Sequence, residues 1–418
     1  MKLHHVFVLI IALLLPLAVA PTATAATDPA ISRAASWLKG QQQSGGSYLG
    51  FSGKADPGTT ADIALALAAA GTDPATVANN GHSMTDYLSE SAATYGTTVA
   101  GASKLTLAAV AAGLDPRSFG GQNLVQVMLS HIDPKTGLMD PQLYVHAYAI
   151  LALSAAGQTV PAATVTALEQ HQAADGGWAF TGETEAGKAD SNTTAIVVQA
   201  LVASGHGSSS TIPPAMKYLA GLQDAAGLYA YQPAAAGAPL LGDANSTALV
   251  IQALLATGNA VDSAAVAKPL AALDKMQNSS GALFFQQGTP ADNLLATEQA
   301  LPAFAGKALP IWPIHAPGRT LDEAKAPATA GDPQRCIFYQ ETGHNACNGF
   351  LAYWNHFGGV DSFGYPLTEE FTAVDAATGR TTTVQYFQRA RFEWHPGSAP
   401  QRYDVQLGLL GSEQLAQP

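Results

Sequence analysis

Small and apolar residues recur along the chain in blocks that end in glycine. They are IALALAAAG ending at Gly71, LTLAAVAAG at Gly113, AILALSAAG at Gly157, IVVQALVASG at Gly205 and LVIQALLATG at Gly258, with a weaker sixth, QALPAFAG, at Gly306. Each block predicts a helix that is apolar on most faces and stopped by a glycine in the left-handed conformation. The glycines are about 42 to 53 residues apart, the spacing of helix-pair repeats. Between the blocks, more charged stretches predict a second set of helices near 82–92, 121–131, 161–172, 213–223 and 262–277. Pro213-Pro214 suits the start of one of them. The apolar set is expected inside and the charged set outside.

Six inner helices face only five outer ones. The missing partner is Ile31 to Gln42, ahead of the first inner helix. Packed beside the last inner helix, near Asn293 to Phe304, it closes the array. A linear array would need polar end caps, and neither end has one. The expected fold is therefore mainly α, an (α/α)6 toroid of six helix pairs over 26–306, followed by a small β-containing domain.

Four outer helices end in a shared turn. It reads Gln42-x3-Gly46-x-Tyr48, Gln172-x3-Gly176-x-Trp178, Gln223-x3-Gly227-x-Tyr229 and, with one extra residue, Gln277-x3-Gly281-x2-Phe284. The glycine allows the turn, the aromatic packs under it, and the glutamine amide satisfies loose backbone groups at the helix end. Glutamine, glycine and tryptophan at this spacing resemble the repeat of the terpenoid cyclases and protein prenyltransferases, the α/α-toroid superfamily. Residues 246–255, SerThrAlaLeuValIleGlnAlaLeuLeu, also resemble the ring of cobalamin carriers such as transcobalamin.

Fifteen positions before their glycines stand Asp56, Asp190 and Asp243; Asp292 stands fourteen before Gly306. In a closed ring these carboxylates share one rim, where they either cap the inner helices or face a ligand. The cyclase branch uses Asp-x-Asp-Asp-Thr-Ala here, and its middle aspartate protonates the polyene. The matching strings are Asp190-Ser191-Asn192-Thr193-Thr194-Ala195 and Asp243-Ala244-Asn245-Ser246-Thr247-Ala248. Asparagine replaces the middle acid in both, and an amide is no proton donor. If the protein is an enzyme, Asp190 or Asp243 is the acid this reading offers; otherwise no catalytic residue is assigned. The prenyltransferase branch needs Asp, Cys and His on zinc, and the ring region contains no cysteine, so no metal site is expected.

What remains is a lined cavity. Gln199 and Gln252 lie six residues before their glycines and Gln299 seven before its own, while Tyr144, His146 and Tyr148 lie on the third inner helix. With Asp56, Asp190, Asn192, Asp243 and Asn245, these are the candidate ligand-binding groups. The alternative for each is hydrogen-bonded packing between helices. The expected function is that of an exported binder of a small-molecule or isoprenoid-like ligand, with a cyclase-type isomerase and a purely structural or adhesion protein as alternatives. No cofactor is required, although the resemblance to cobalamin carriers admits a cobalamin-type ligand.

Composition and the ends of the chain complete the picture. Of 418 residues, 47% are hydrophobic and 12% charged, a balance that supports a large core. Residues 1–25 read as a signal peptide: Lys2, an apolar run from Val6 to Ala20, and Ala23-Thr24-Ala25 as cleavage site. No transmembrane anchor is expected once it is removed. The protein is then secreted or held at the cell envelope. The formal net charge of -12 grows by one unit with Lys2 gone, which excludes nucleic acid as a partner.

Residues 307–332, with Pro310, Pro313, Pro317 and Pro327, read as a linker. In 333–418, Phe363-Gly364-Tyr365-Pro366 is similar to the LGFP repeat of envelope-associated proteins. That resemblance implies a cell-wall glycan or a protein as partner. Val384 to His395 alternates like a single strand, with Phe387, Arg389, Arg391, Glu393 and His395 on one face. Export makes a disulfide between Cys336 and Cys347 the leading reading.

Overall fold

The computed structural model describes residues 29–311, 321–331, 336–374, 381–394 and 405–410. The predicted signal peptide, part of the linker and His395 lie outside the described residues. Twelve helices alternate between outside and inside. The outer ones are α1 (Pro29–Gly40), α3 (Met84–Tyr95), α5 (Leu124–Ser130), α7 (Ala162–Gln170), α9 (Ile212–Ala220) and α11 (Ala264–Asp274). The inner ones are α2 (Pro57–Ala69), α4 (Val99–Ala111), α6 (Leu143–Ala155), α8 (Ser191–Ala203), α10 (Ala244–Ala256) and α12 (Leu294–Phe304).

Each inner helix packs on the next, and α12 packs on α2, so the ring closes. The N-terminal helix α1 lies against α12, as the count of helices requires. Polar contacts seal the seam. Arg33 Nε donates to Gln277 Oε1 at 3.0 Å, and Gln277 Nε2 donates to the Ala30 carbonyl at 2.9 Å. Small residues make the closeness affordable: Ala61, Ala64, Ala108, Ala147, Ala149, Ala195, Ala248 and Ala300 are all buried between helices. The terminal glycines Gly71, Gly113, Gly157, Gly205, Gly258 and Gly306 all take positive φ, between 66° and 90°.

The shared turn works as its residue types predict. The amides of Gln42, Gln172, Gln223 and Gln277 donate to the carbonyls of Gly46, Gly176, Gly227 and Gly281 at 2.8–3.1 Å. Three of them also reach forward to the next repeat, donating to the carbonyls of Val77 ahead of α3, Thr211 at the cap of α9 and Ala30 in α1. One register differs from expectation. In the fourth turn the residue under the glycine is Leu283, with no extra residue. Its N–H donates to Thr297 Oγ1 at 2.9 Å, as Trp178 N–H does to Thr194 and Tyr229 N–H to Thr247. The turn thus selects a large apolar side chain, and aromaticity is dispensable.

A short hairpin, β1 (Ala78–Asn79) and β2 (His82–Ser83), precedes α3, and beyond the ring β3 (Cys336–Tyr339) and β4 (His344–Cys347) form a hairpin whose ends the Cys336–Cys347 disulfide joins. Helices α14 (Asn348–His356) and α15 (Gly359–Phe363) lead to a four-stranded antiparallel sheet. Its strands are β5 (Phe371–Val374), β6 (Thr381–Tyr386), β7 (Arg391–Trp394) and β8 (Val405–Leu407), in that order. Part of the predicted linker is α13 (Leu321–Lys325), whose Ala324 packs with Phe371 and Val384. The single strand expected over 384–395 is in fact a hairpin. Phe387 N–H bonds the Ala390 carbonyl, while the N–H groups of Gln388 and Arg389 donate to Tyr365 and Phe363. Those bonds turn the chain, so Phe387 joins Phe392 in the core with ring centroids 4.3 Å apart. Arg391 and Glu393 do share a face and pair, Nε to Oε1, at 2.7 Å.

Candidate active site within the ring

The inner helices come into register when counted from their N-caps, which are Asp56, Thr98, Gln142, Asp190, Asp243 and Asn293. Helical periodicity puts positions two, five, six and nine after the cap on one face. Position two is Gly58, Ala100, Tyr144, Asn192, Asn245 and Leu295. Position six is Asp62, Lys104, Tyr148, Ile196, Leu249 and Gln299. Position nine is Leu65, Leu107, Leu151, Gln199, Gln252 and Pro302. Position five is small in five helices (Ala61, Ser103, Ala147, Ala195, Ala248) and is a glutamate, Glu298, in the sixth.

Positions two, six and nine look into the ring, and position five borders them, packed against the neighbouring helix. Glu298 on α12 and Tyr148 on α6 belong to opposite helices, yet they are electrostatic neighbours. Lys104 Nζ on α4 meets Asp62 Oδ2 on α2 at 2.5 Å, with 27% and 20% of the two side chains exposed. On helices that are otherwise almost wholly buried, that exposure marks a lumen open to solvent. The Tyr95 hydroxyl enters the same cluster: a Cβ on Gly58 would stand 2.7 Å from it.

The cluster holds two carboxyls and one ammonium. Burial opposes the charge on Lys104, but Asp62 and Tyr95 outweigh it and hold the ammonium above its usual range. Burial raises Asp62, and Lys104 draws it back. Glu298 has no such contact: it is 3% exposed, and its Oε2 has no hydrogen-bond partner. Burial, then the charge of Asp62, pushes its pKa far above the ordinary carboxylate range. With the one cation engaged by Asp62, Glu298 is the carboxyl of the cluster whose surroundings most favour the protonated form. Tyr144 and Tyr148 line the adjacent wall with ring centroids 5.0 Å apart, and burial moves Tyr144 up to about 12.

The sequence-derived candidates separate into groups. Asp56, Asp190 and Asp243 are caps, accepting from the N–H groups of Thr59, Thr193 and Ser246 at 2.7–2.8 Å. Burial raises the last two, and the capping bonds oppose it. Asp292 is no cap; Asn293 holds that place, and Asp292 accepts from Asn278 and Ser280. His146 faces outward: Nδ1 accepts from Met139 N–H at 3.0 Å, and Nε2 lies 2.9 Å from the Thr164 carbonyl. Burial lowers its pKa to about 4, so it is a neutral core residue whose ring nitrogens are both engaged. Gln252 Nε2 donates to the Gln299 carbonyl at 3.0 Å, and Gln199 Oε1 accepts from Leu309 N–H at 2.9 Å. Asn192 and Asn245 stand near the mouth. Asn245 Nδ2 donates to Gln299 Oε1 at 3.0 Å, while its Oδ1 is buried without a partner. Tyr144 and Tyr148 are in the lumen. Asp62, Tyr95, Lys104 and Glu298 were not singled out from sequence.

The mouth lies at the N-termini of the inner helices. Phe180, Tyr231 and Phe285 hold equivalent places there: their carbonyls accept from the first N–H groups of α6, α8 and α10 at 2.8–2.9 Å. All three rings are partly exposed. A recess of about 320 Å³ beside Tyr231, Leu240, Leu241 and Phe285 adjoins this rim. Among the described residues no group of three or more His, Cys, Asp or Glu comes together as a metal site, and no helix is long and apolar enough to cross a membrane.

No family profile matches the chain, and no curated protein matches it. Solved structures do resemble it. The type II terpene cyclase MstE from Scytonema shares 16% identity over 66% of this chain and 96% of its own, with TM-score 0.48. The ent-copalyl diphosphate synthase from Streptomyces platensis shares 16% over 60% of this chain and 52% of its own, with TM-score 0.41. A glycosidase variant in complex with glucose shares 14% over 66% of this chain and 95% of its own, with TM-score 0.47. The ring is established by its own contacts, and these likenesses add nothing to the chemistry of its lining.

Proposed function

We propose that the ring is the chamber of an acid–base isomerase of the terpenoid-cyclase type, with Glu298 as proton donor. The observation that carries this reading is the lone glutamate at a position that is small in the other five helices, buried with its Oε2 unpartnered beside an ammonium already committed to Asp62. A carboxylic acid held neutral can donate a proton at neutral pH.

The chemistry needs only this chain and a polyene. The Glu298 proton passes to the end carbon of a double bond, whose π pair forms the new C–H bond. The neighbouring carbon becomes cationic, and the next double bond closes onto it to form a C–C bond. Loss of a proton to water at the mouth ends the reaction, and solvent reprotonates Glu298. Substrate and product are isomers. The faces of Tyr144 and Tyr148 supply negative π density to the passing cation, and Asp62 with Lys104 fixes the charge around the acid.

Purified protein incubated with squalene and shorter polyprenes tests this directly. Cyclic isomers are expected from the wild type and not from Glu298→Gln, with Asp190→Asn and Asp243→Asn still active. Equal turnover in Glu298→Gln sinks the assignment.

One observation favours a carrier instead. The unpartnered Asn245 Oδ1, with Asn192 open at the same level, offers amide groups to a ligand. A small molecule that survives purification and is returned unchanged would decide for it. Export through residues 1–25, and attachment to a cell-wall glycan or protein through 333–418, complete the proposal. Loss of envelope retention on deleting 333–418 would support the attachment, and unchanged fractionation would remove it.

A further inference from the structure

Among the described residues no outer helix follows α12, and the chain takes a different course. Gly306 turns it, with Lys307 N–H bonded back to the Pro302 carbonyl at 2.9 Å. Three residues further on, Leu309 N–H donates to Gln199 Oε1 on α8. In the ring α8 and α12 are not neighbours; α10 stands between them. A segment this short reaches α8 by crossing the lumen. Leu309 and Ile311 are buried, at 7% and 5% exposure, and both belong to the ring's own hydrophobic core.

Gln199 lies nine residues after its cap and Glu298 five after its own. At about 1.5 Å per residue, the acid sits about 8 Å below the rim and the crossing chain about 14 Å below it. Resting on the acid-chamber reading above, we infer that residues 307–311 are the floor of that chamber, and that Leu309 and Ile311 set the length of substrate it admits. The chamber then has one mouth, at the inner-helix N-termini. A polyene enters end-on, and its leading end stops about 6 Å beyond the acid. Gln199 is a positioning residue: it spends its carbonyl on the floor's backbone, which explains an amide at a depth where α2, α4 and α6 carry leucine.

The test is a length series run in the Glu298→Gln background, where no chemistry occurs. Thermal protection is measured with geraniol, farnesol and geranylgeraniol, neutral isoprenoid alcohols of increasing length. Leu309→Ala/Ile311→Ala is expected to extend the longest protecting alcohol by one member. Leu309→Phe is expected to shorten it by one, and it serves if the double variant does not fold. The same cut-off in all proteins, or protection by none of the alcohols, overturns the floor. A failed acid assignment leaves the cut-off series intact, and a failed floor leaves the turnover assay intact, so the two are separable.

Discussion

The ring has one construction and two linings. On α12, α2, α4 and α6 the lumen carries Glu298, Asp62, Lys104, Tyr144 and Tyr148; on α8 and α10 it carries Asn192, Gln199, Asn245 and Gln252, with Ile196 and Leu249 between them. Helix length, capping and the glycine stop are nearly the same on both sides. The difference teaches that the repeat specifies a wall and leaves the lining free. Residues that define the repeat point into the turns and between helices, where every copy has the same neighbours. Residues that face the middle have no such constraint. The cyclase-like strings Asp190–Ala195 and Asp243–Ala248 lie on the amide side, and the ionisable groups lie on the other.

The sharpest way to break this comparison is to exchange the chemistry of one side. Glu298→Gln should lower turnover by about 10²–10⁴-fold, whereas Asn192→Ala should cost under tenfold. The pH profile sharpens it. With its pKa raised by burial, Glu298 keeps its proton to higher pH than an ordinary carboxyl, and activity should fall as pH rises through that raised value. An activity loss on the acid side instead would name a different group.

Next in size is the ion pair. Lys104→Met leaves Asp62 buried without its cation and should destabilise by about 3–5 kcal/mol, and Asp62→Asn in the same chain should restore most of it. On the amide side, Gln252→Leu removes a second donor from the Gln299 carbonyl, which keeps its helical bond, and should cost about 0.5–1.5 kcal/mol. Denaturant midpoints measure both, and equal losses would erase the distinction between the sides.

His146 gives an effect of about 3 kcal/mol, from a shift of its pKa from 6.5 to about 4. The native state resists protonation and the unfolded chain does not. Stability is therefore complete above pH 6.5 and lost as pH falls to about 4. Melting curves across that window should flatten in His146→Gln. The smallest effect is at the caps: Asp190→Ala or Asp243→Ala should cost about 1 kcal/mol and leave substrate binding unchanged.

Much of the fold was legible. The glycine-ended blocks gave the inner helices, the odd count gave the closure by α1, and the glutamine turn gave its own hydrogen bonds. The site was less so, for a traceable reason. Counting back from the glycines assumes equal helices, but the N-cap of α12 stands thirteen residues before Gly306, where the other caps stand fifteen before theirs. That slip made Asp292 look like the sixth cap and set Gln299 beside Gln199 and Gln252. Counted from the caps, Glu298 falls in a column of alanines and serine, which is the signal that singles it out. The strand expected over 384–395 failed differently. Alternation continues through a tight turn, and only the bonds to Tyr365 and Phe363 show that the chain reverses.

By itself the sequence determined the local parts: where each helix stops, which residue caps or turns it, and how many pairs there are, because those rest on contacts a few residues apart. Only the tertiary structure decided which side chains share the lumen, that Lys104 pairs with Asp62 while Glu298 Oε2 has no partner, and that Leu309 crosses to Gln199. Those pairings join residues separated by dozens to hundreds of positions, and the free energy of a buried charge depends on what stands beside it in space.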